Sequence, residues 1–467
     1  MARRFLLLVP LALPAAFAAA LAQSPGPGGP AAAPVSDYAL TNVRIVTAPG
    51  KVIERGTVVT HDGRISAVGA QVNIPAGVVR LDLAGHTVYP GLIDAATSIG
   101  LPSPTRALPA AAPAATPDAG GRGGRGGRGA APGVPAGARG ANAPPAPPVV
   151  APELDATAEA ADMFAPTPDE LKALRAGGVT TVGLVFNGGL FPGRIGAALT
   201  GTRNESRLGL RTSVGQEVSF GTKRGGAYPA TGIGAVAFIR QSFLDAQYEA
   251  RLDKAFKAGT PGARPTNDPF SRALMPAAGN EMPSWFVAST ERQLIRVAEI
   301  SKEMGLKNPV VVGVQEGYRA IPVLKQSAAT AVVSLAWPPA DPMTRREFGL
   351  IGATKGGPGT SDSSITTQVK ANAVSLAKGG VPFVFASFGG TSGATFRDRI
   401  RSTIEAGMSA DDALRASTVA PAALLGITAA VGTIEVGKLA NLVVVSGNDL
   451  FASGTPIKHV FVEGRLY

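Results

Sequence analysis

Cysteine is missing from all 467 residues, and histidine occurs only three times, at His61, His86 and His459. Without thiols no disulfide can staple the fold, and no thiolate can act as nucleophile or metal ligand. Stability must come from core burial, for which a chain with 45% hydrophobic residues is well supplied. Charge is sparse, at 16%. After residue 22 no stretch of 18 apolar residues is free of charge, so no transmembrane helix is expected there. No Gly-x-Ser-x-Gly elbow is present, which removes the usual serine-hydrolase signature.

The formal net charge is +11 and the isoelectric point about 10.0. Much of that excess comes from Arg3, Arg4 and five arginines between 101 and 150 (106, 122, 125, 128 and 139). The remainder is only mildly basic, so no nucleic-acid partner is expected. Arg3 and Arg4 precede the apolar run Phe5 to Ala20, and Ala20-Leu21-Ala22 supplies a small-x-small cleavage pattern. Residues 1–22 therefore read as a secretory signal peptide, which makes the mature protein secreted or periplasmic.

Residues 23–36 are a Pro/Gly-rich flexible lead-in. Residues 37–89 alternate in a β pattern, with Asp62-Gly63 joining two β-prone runs as a hairpin turn. From about residue 90 to 425 apolar strands alternate with amphipathic helices, the signature of a parallel sheet. Thr167-Pro168-Asp169-Glu170 opens one helix with a capping box. Others are expected over Glu291–Met304, Tyr318–Gln326 and Thr366–Lys378. Strands are expected at Val179–Phe186, Pro309–Val312, Ala331–Leu335 and Pro382–Phe385. This run is slightly longer than the roughly 250 residues of a (β/α)₈ barrel once 101–150 is left out. Residues 426–467 return to a β pattern, with short strands expected at Gly432–Val436, Asn441–Val445 and Ile457–Val462. The fold class expected is a (β/α)₈ TIM barrel with a small composite β-sandwich formed by both chain ends.

Residues 101–150 interrupt the barrel with GGRGGRGGRG and a Pro-rich stretch that cannot pack a core, so a disordered loop is expected. Gly121 to Gly126 matches GxGxxG by letter but lies between Pro-rich flanks rather than between a strand and a helix. Gly432 to Lys438 resembles a phosphate-binding loop, yet Leu439 stands where that loop has its Mg²⁺-binding Ser or Thr.

Tyr89-Pro90-Gly91-Leu92-Ile93-Asp94 resembles the first barrel strand of the amidohydrolase superfamily. Ala413 to Thr418, Gly432 to Val444 and His459 to Gly464 resemble the end of such enzymes, in particular a secreted, imidazolonepropionase-like branch. The resemblance implies a metal-dependent hydrolase of C–N bonds, its first ligands being a His-x-His pair after Asp94. This chain departs there, with Ala96 and Ser98 in place of the two His. Further ligands are implied near Ala288 on the fifth strand, Gly313 on the sixth and Phe388 on the eighth, and none carries the expected group. His61 sits beside a hairpin turn, His86 precedes Tyr89 and His459 lies on a terminal strand, so they offer no ligand cluster. Without a metal, nothing lowers the pKa of water from 15.7 to about 7. Neither a metal nor another cofactor is therefore expected.

Two functions follow. One is a non-catalytic homologue acting as a binding or partner subunit, paired with a metal-competent amidohydrolase paralogue or with itself. The other is a C–N hydrolase with a metal-free or atypical carboxylate site, for which Glu217, Asp245 and Glu316 are the candidates.

Overall fold

The computed structural model describes residues 37–102, 155–186, 188–201, 208–221, 229, 231–337, 363–388 and 393–467. The expected signal segment, the lead-in 23–36 and nearly all of the insertion 101–150 lie outside the described residues.

The first strands, β1 (Tyr38–Ala48), β2 (Lys51–His61) and β3 (Arg64–Gly69), form an antiparallel meander. The β2–β3 turn is the expected Asp62-Gly63. Both residues take positive φ (50° and 78°), the geometry that matches the twist of a two-residue hairpin. β4 (Val79–Asp82) and β5 (His86–Pro90) then run parallel to β1.

The barrel sheet follows: β6 (Leu92–Thr97), β7 (Val179–Leu184), β8 (Arg194–Leu199), β9 (Gly209–Ser219), β10 (Ser284–Val287), β11 (Val310–Val314), β12 (Thr330–Ser334) and β13 (Phe383–Ala386). These pair in chain order and β13 returns beside β6. The expectation of a regular (β/α)₈ barrel needs a correction, because β8 runs antiparallel to both β7 and β9. The cause is connection length. Residues 185–193 and 200–208 are shorter than the dozen or more a parallel crossover requires, so the chain can only fold back on itself.

Helices cover the outer face: α1 (Pro168–Ala176), α2 (Gly232–Lys257), α3 (Pro269–Ala278), α4 (Glu291–Met304), α5 (Ile321–Gln326) and a C-terminal series that includes Ser363–Lys370, Asn372–Gly379 and Gly393–Glu405. α1 carries the expected capping box, with the Glu170 carboxylate accepting the Thr167 N–H at 2.7 Å. α4 has its expected bounds and ends at Gly305, whose φ of 68° suits a left-handed cap. The helix expected over Tyr318–Gln326 is split into a 3₁₀ turn, Gly317–Arg319, and α5, whose second residue is Pro322. That proline has no N–H to continue an earlier helix, but it is tolerated in a first turn. The helix expected over Thr366–Lys378 is likewise two helices that meet at Ala371.

Alternation along the barrel strands separates two cores. Phe286, Val311, Ala331, Val333 and Phe385 pack outward with helix residues such as Phe243, Leu294 and Phe396. Ile93, Trp285, Val312, Val332, Val384 and Ala386 pack inward. The interior is therefore a filled apolar core. It continues into Leu425, Ile427 and Val431, and into β15 described below. Each such side chain, fully buried, contributes roughly 1.5–3 kcal/mol of hydrophobic stabilisation.

The chain closes with β14 (Leu442–Ser446), β15 (Ile457–Val462) and β16 (Arg465–Leu466). β14 pairs with β5, so both chain ends join one continuous eight-stranded sheet, not two separate ones. Leu40, Ile45, Val88, Leu442, Val444 and Phe461 form its core. The short strand expected at Gly432–Val436 is a loop instead. It is tied to β1 by the bond from Ile434 N–H to the Thr47 carbonyl, 2.9 Å.

Candidate functional site

The first and last barrel strands meet at Asp94. Its carboxyl is fully buried. Oδ1 accepts the backbone N–H of Ser387 at 2.8 Å and that of Ala96 at 3.3 Å, and the Ser387 hydroxyl bonds Oδ2. Burial dominates and pushes the Asp94 carboxyl from its ordinary 3.8 up to about 7, against the lowering effect of those hydrogen bonds. The Asp of the Leu-Ile-Asp run therefore closes the barrel seam between β6 and β13. In sequence alone, the Leu-Ile-Asp run marks this Asp only as the lead-in to the implied ligand pair.

The positions implied as metal ligands sit at or just past the C-terminal ends of the strands, as a barrel active site requires. Ala96 is fully buried in the inner core. Ser98 lies half-buried just beyond β6. Ala288 belongs to the helix-facing core, whereas Val287 packs against the inner one. The inward position on the fifth-strand equivalent is thus Val287, a shift of one residue. Gly313 takes φ +84°, and a Cβ placed on it would stand 3.1 Å from Cδ1 of Phe388. Phe388 itself packs on the inner core, and its carbonyl accepts from the Ser334 hydroxyl at 2.7 Å. The eighth-strand ring therefore lies against the sixth-strand glycine. A divalent metal does not fit these residues: three are apolar, Gly313 has no side chain, Ser98 offers only a neutral hydroxyl, and the Phe388 ring stands against Gly313. Among the described residues no group of three or more His, Asp or Glu could hold a metal ion.

The three candidate carboxylates do not converge. Asp245 is exposed on α2, where it accepts from Gln241 at 2.7 Å. Glu316 is half-buried and accepts the backbone N–H of Glu291 at 2.9 Å, so it serves the N-terminus of α4. Glu217 alone faces the barrel interior, opposite Trp285 in the β9–β10 register. Fully buried, it accepts the Phe186 N–H at 2.8 Å through Oε2, while Oε1 finds no hydrogen-bond partner among the described residues. Burial holds its pKa well above the ordinary 4.5, and the Phe186 bond offsets only part of that.

A raised carboxyl pKa means that the neutral form is favoured on folding. Its stabilising contribution is complete below pH 4.5 and is lost progressively as pH rises. Glu217→Gln is therefore expected to match the parent near pH 4 and to exceed its stability at pH 8 by at least about 1 kcal/mol. Urea unfolding at the two pH values reads this, and equal differences at both would show that the Glu217 carboxyl is not held neutral.

The three histidines belong to no metal-holding group among the described residues. His61 is exposed with Nδ1 2.8 Å from Asp37, His86 Nδ1 lies 3.0 Å from the Ala84 carbonyl, and His459 is half-buried on β15.

Residues 332–467 match the amidohydrolase family. The fold as a whole is similar to that of an amidohydrolase from Thermotoga maritima MSB8, with a TM-score of 0.67, 19% identity, and 92% of this chain and 99% of that one covered. It is also similar to a prolidase complexed with N-methylphosphonate-L-proline, with a TM-score of 0.50, 16% identity and the same coverage of 92% and 99%. No curated protein matches the sequence. The chain thus has an amidohydrolase-type fold, and identities this low speak to the fold alone.

Proposed function

We propose that this chain is an exported, non-catalytic amidohydrolase homologue that works as a binding or partner subunit. The observation that carries the reading is the set of groups at the strand ends. Ala96, Ala288 and its inward neighbour Val287, Gly313 and Phe388 offer no ligating side-chain atom, Ser98 offers only a neutral hydroxyl, and the Phe388 ring lies against Gly313. Function resides in the site and not in the fold, so a hydrolytic barrel whose ligand positions are apolar keeps its shape and loses its water-activating device. Export rests on the basic and apolar segment at residues 1–22. The partner is a metal-competent paralogue or a second copy of this chain.

The test is elemental analysis of the mature protein expressed with zinc and manganese supplied. Less than about a tenth of an equivalent after gel filtration is expected. One or two tightly held equivalents, with turnover of an amide or dipeptide substrate, would overturn the reading.

A second reading, a C–N hydrolase with an atypical carboxylate site, draws on one observation: the buried, unpaired Oε1 of Glu217. Held neutral by burial, that carboxyl would give a proton to a departing amine as a general acid. Asp245 and Glu316 have no part in it, since one is exposed on α2 and the other serves α4. If the protein hydrolyses amides and Glu217→Gln leaves the rate unchanged, this mechanism is removed.

A further inference from the structure

A concavity lies away from the strand C-termini, where the end of α1 meets β15. It has a volume of about 500 Å³, within the range of small-molecule sites. Its wall is apolar, built from Ile457, Val460, Ala176 and the Tyr467 ring, and Lys172, Arg175, Lys458 and His459 stand around it. No Asp or Glu is among the lining residues described.

The arginine is fixed in place. Its guanidinium lies 4.0 Å from the centroid of the Tyr467 ring and donates to the Thr200 carbonyl. A stacked, half-buried guanidinium retains planar donors for an oxyanion and loses little side-chain freedom on binding. The lysines differ: both are exposed at the rim, where long stems can swing a charge over a bound anion. His459 is held below its ordinary pKa by burial first and then by the positive fields of Lys458 and His86. Arg175 is lowered by burial first, which Tyr467 opposes and Arg465 reinforces.

We propose that this cavity binds a small organic carboxylate, its apolar body against Ile457 and the Tyr467 ring and its carboxylate between Arg175 and the two lysines. The apolar wall sets this apart from a site for inorganic anions, whose hydration it could not replace. The site is independent of the barrel's strand ends and stands whether or not those ends catalyse anything.

The experiment is calorimetric titration of the full mature chain with hexanoate, hexanamide and inorganic phosphate. Saturable one-site binding of hexanoate is expected, with hexanamide and phosphate each at least about tenfold weaker. Lys172→Glu combined with Lys458→Glu should weaken hexanoate at least about tenfold, since two attractive charges become repulsive ones. Both residues are exposed, so the fold should tolerate the change. Lys254→Glu, on the exposed side of α2, controls for the general pull of a chain with net charge +11 and should change nothing. Phosphate binding as tightly as hexanoate, hexanoate affinity indifferent to the double variant, or no saturable binding up to roughly 10 mM would each overturn the proposal.

Discussion

Gly313→His, which places an imidazole where the resemblance implies a sixth-strand ligand, is expected to destabilise the protein by about 2–5 kcal/mol and to recruit no metal. Two separable costs add. The first is conformational. Gly313 has φ +84°, and a residue with a Cβ held in that region costs roughly 1–2 kcal/mol. The second is steric. The Phe388 ring carbons Cδ1 and Cε1 stand 3.1 and 3.3 Å from where the Cβ would be, and overpacking of this kind costs about 1–3 kcal/mol. A double-mutant cycle separates them. In a Phe388→Ala background, Gly313→Ala should cost only the backbone part, about 1–2 kcal/mol. Urea unfolding of the four proteins gives the coupling. If Gly313→Ala costs the same with and without the ring, Phe388 does not occupy this position in solution. The prediction bears on function, because an imidazole at the implied sixth-strand position would require moving Phe388 and rebuilding the sixth-strand backbone together.

Much of the architecture could be read from local chemistry, and the failures have physical causes. Thr167-Pro168-x-Glu170 announces α1 because capping is written within four residues. Val310–Val314 and Ile457–Val462 are legible because a short β-branched run between turn residues has few alternatives. The antiparallel β8 was missed because apolar periodicity carries no direction. The usable signal was Gly188-Gly189, followed after a few residues by Arg194–Leu199, a spacing too short for a crossover helix. At the site, Ala96 and Ser98 were legible by residue type as departures from the pair that the resemblance implies. The inward face of β10 was not, because the strand ends at Val287 and a one-residue slip exchanges the two faces. No pattern in one sequence could have joined Asp94 to Ser387, or Phe388 to Gly313, across the closing seam of the barrel.

That seam carries the second large effect. Asp94→Leu is expected to cost about 3 kcal/mol or more, because it removes the buried acceptor of the Ser387 and Ala96 N–H groups and of the Ser387 hydroxyl. Asp94→Asn should behave in the opposite way. Its amide oxygen can accept both N–H groups, and its NH₂ can donate to the Ser387 hydroxyl, which reproduces the protonated acid. The pH dependence follows from the raised pKa. The native state favours the neutral carboxyl, so Asp94's stabilising contribution is whole below the unfolded value of 3.8. It drains away as pH rises towards about 7, and is constant above that. A shift of that size corresponds to as much as about 4 kcal/mol. Relative to the parent, Asp94→Asn should therefore gain stability steadily between pH 4 and pH 7.5 and then level off. Glu217 contributes equally to both proteins and cancels in the difference. A difference that stays flat across this range would show that Asp94 ionises at its ordinary pKa within the seam. A rising one would mean that a neutral carboxyl closes this barrel by hydrogen bonds alone, at the very strand end where the resemblance implies a charged metal centre.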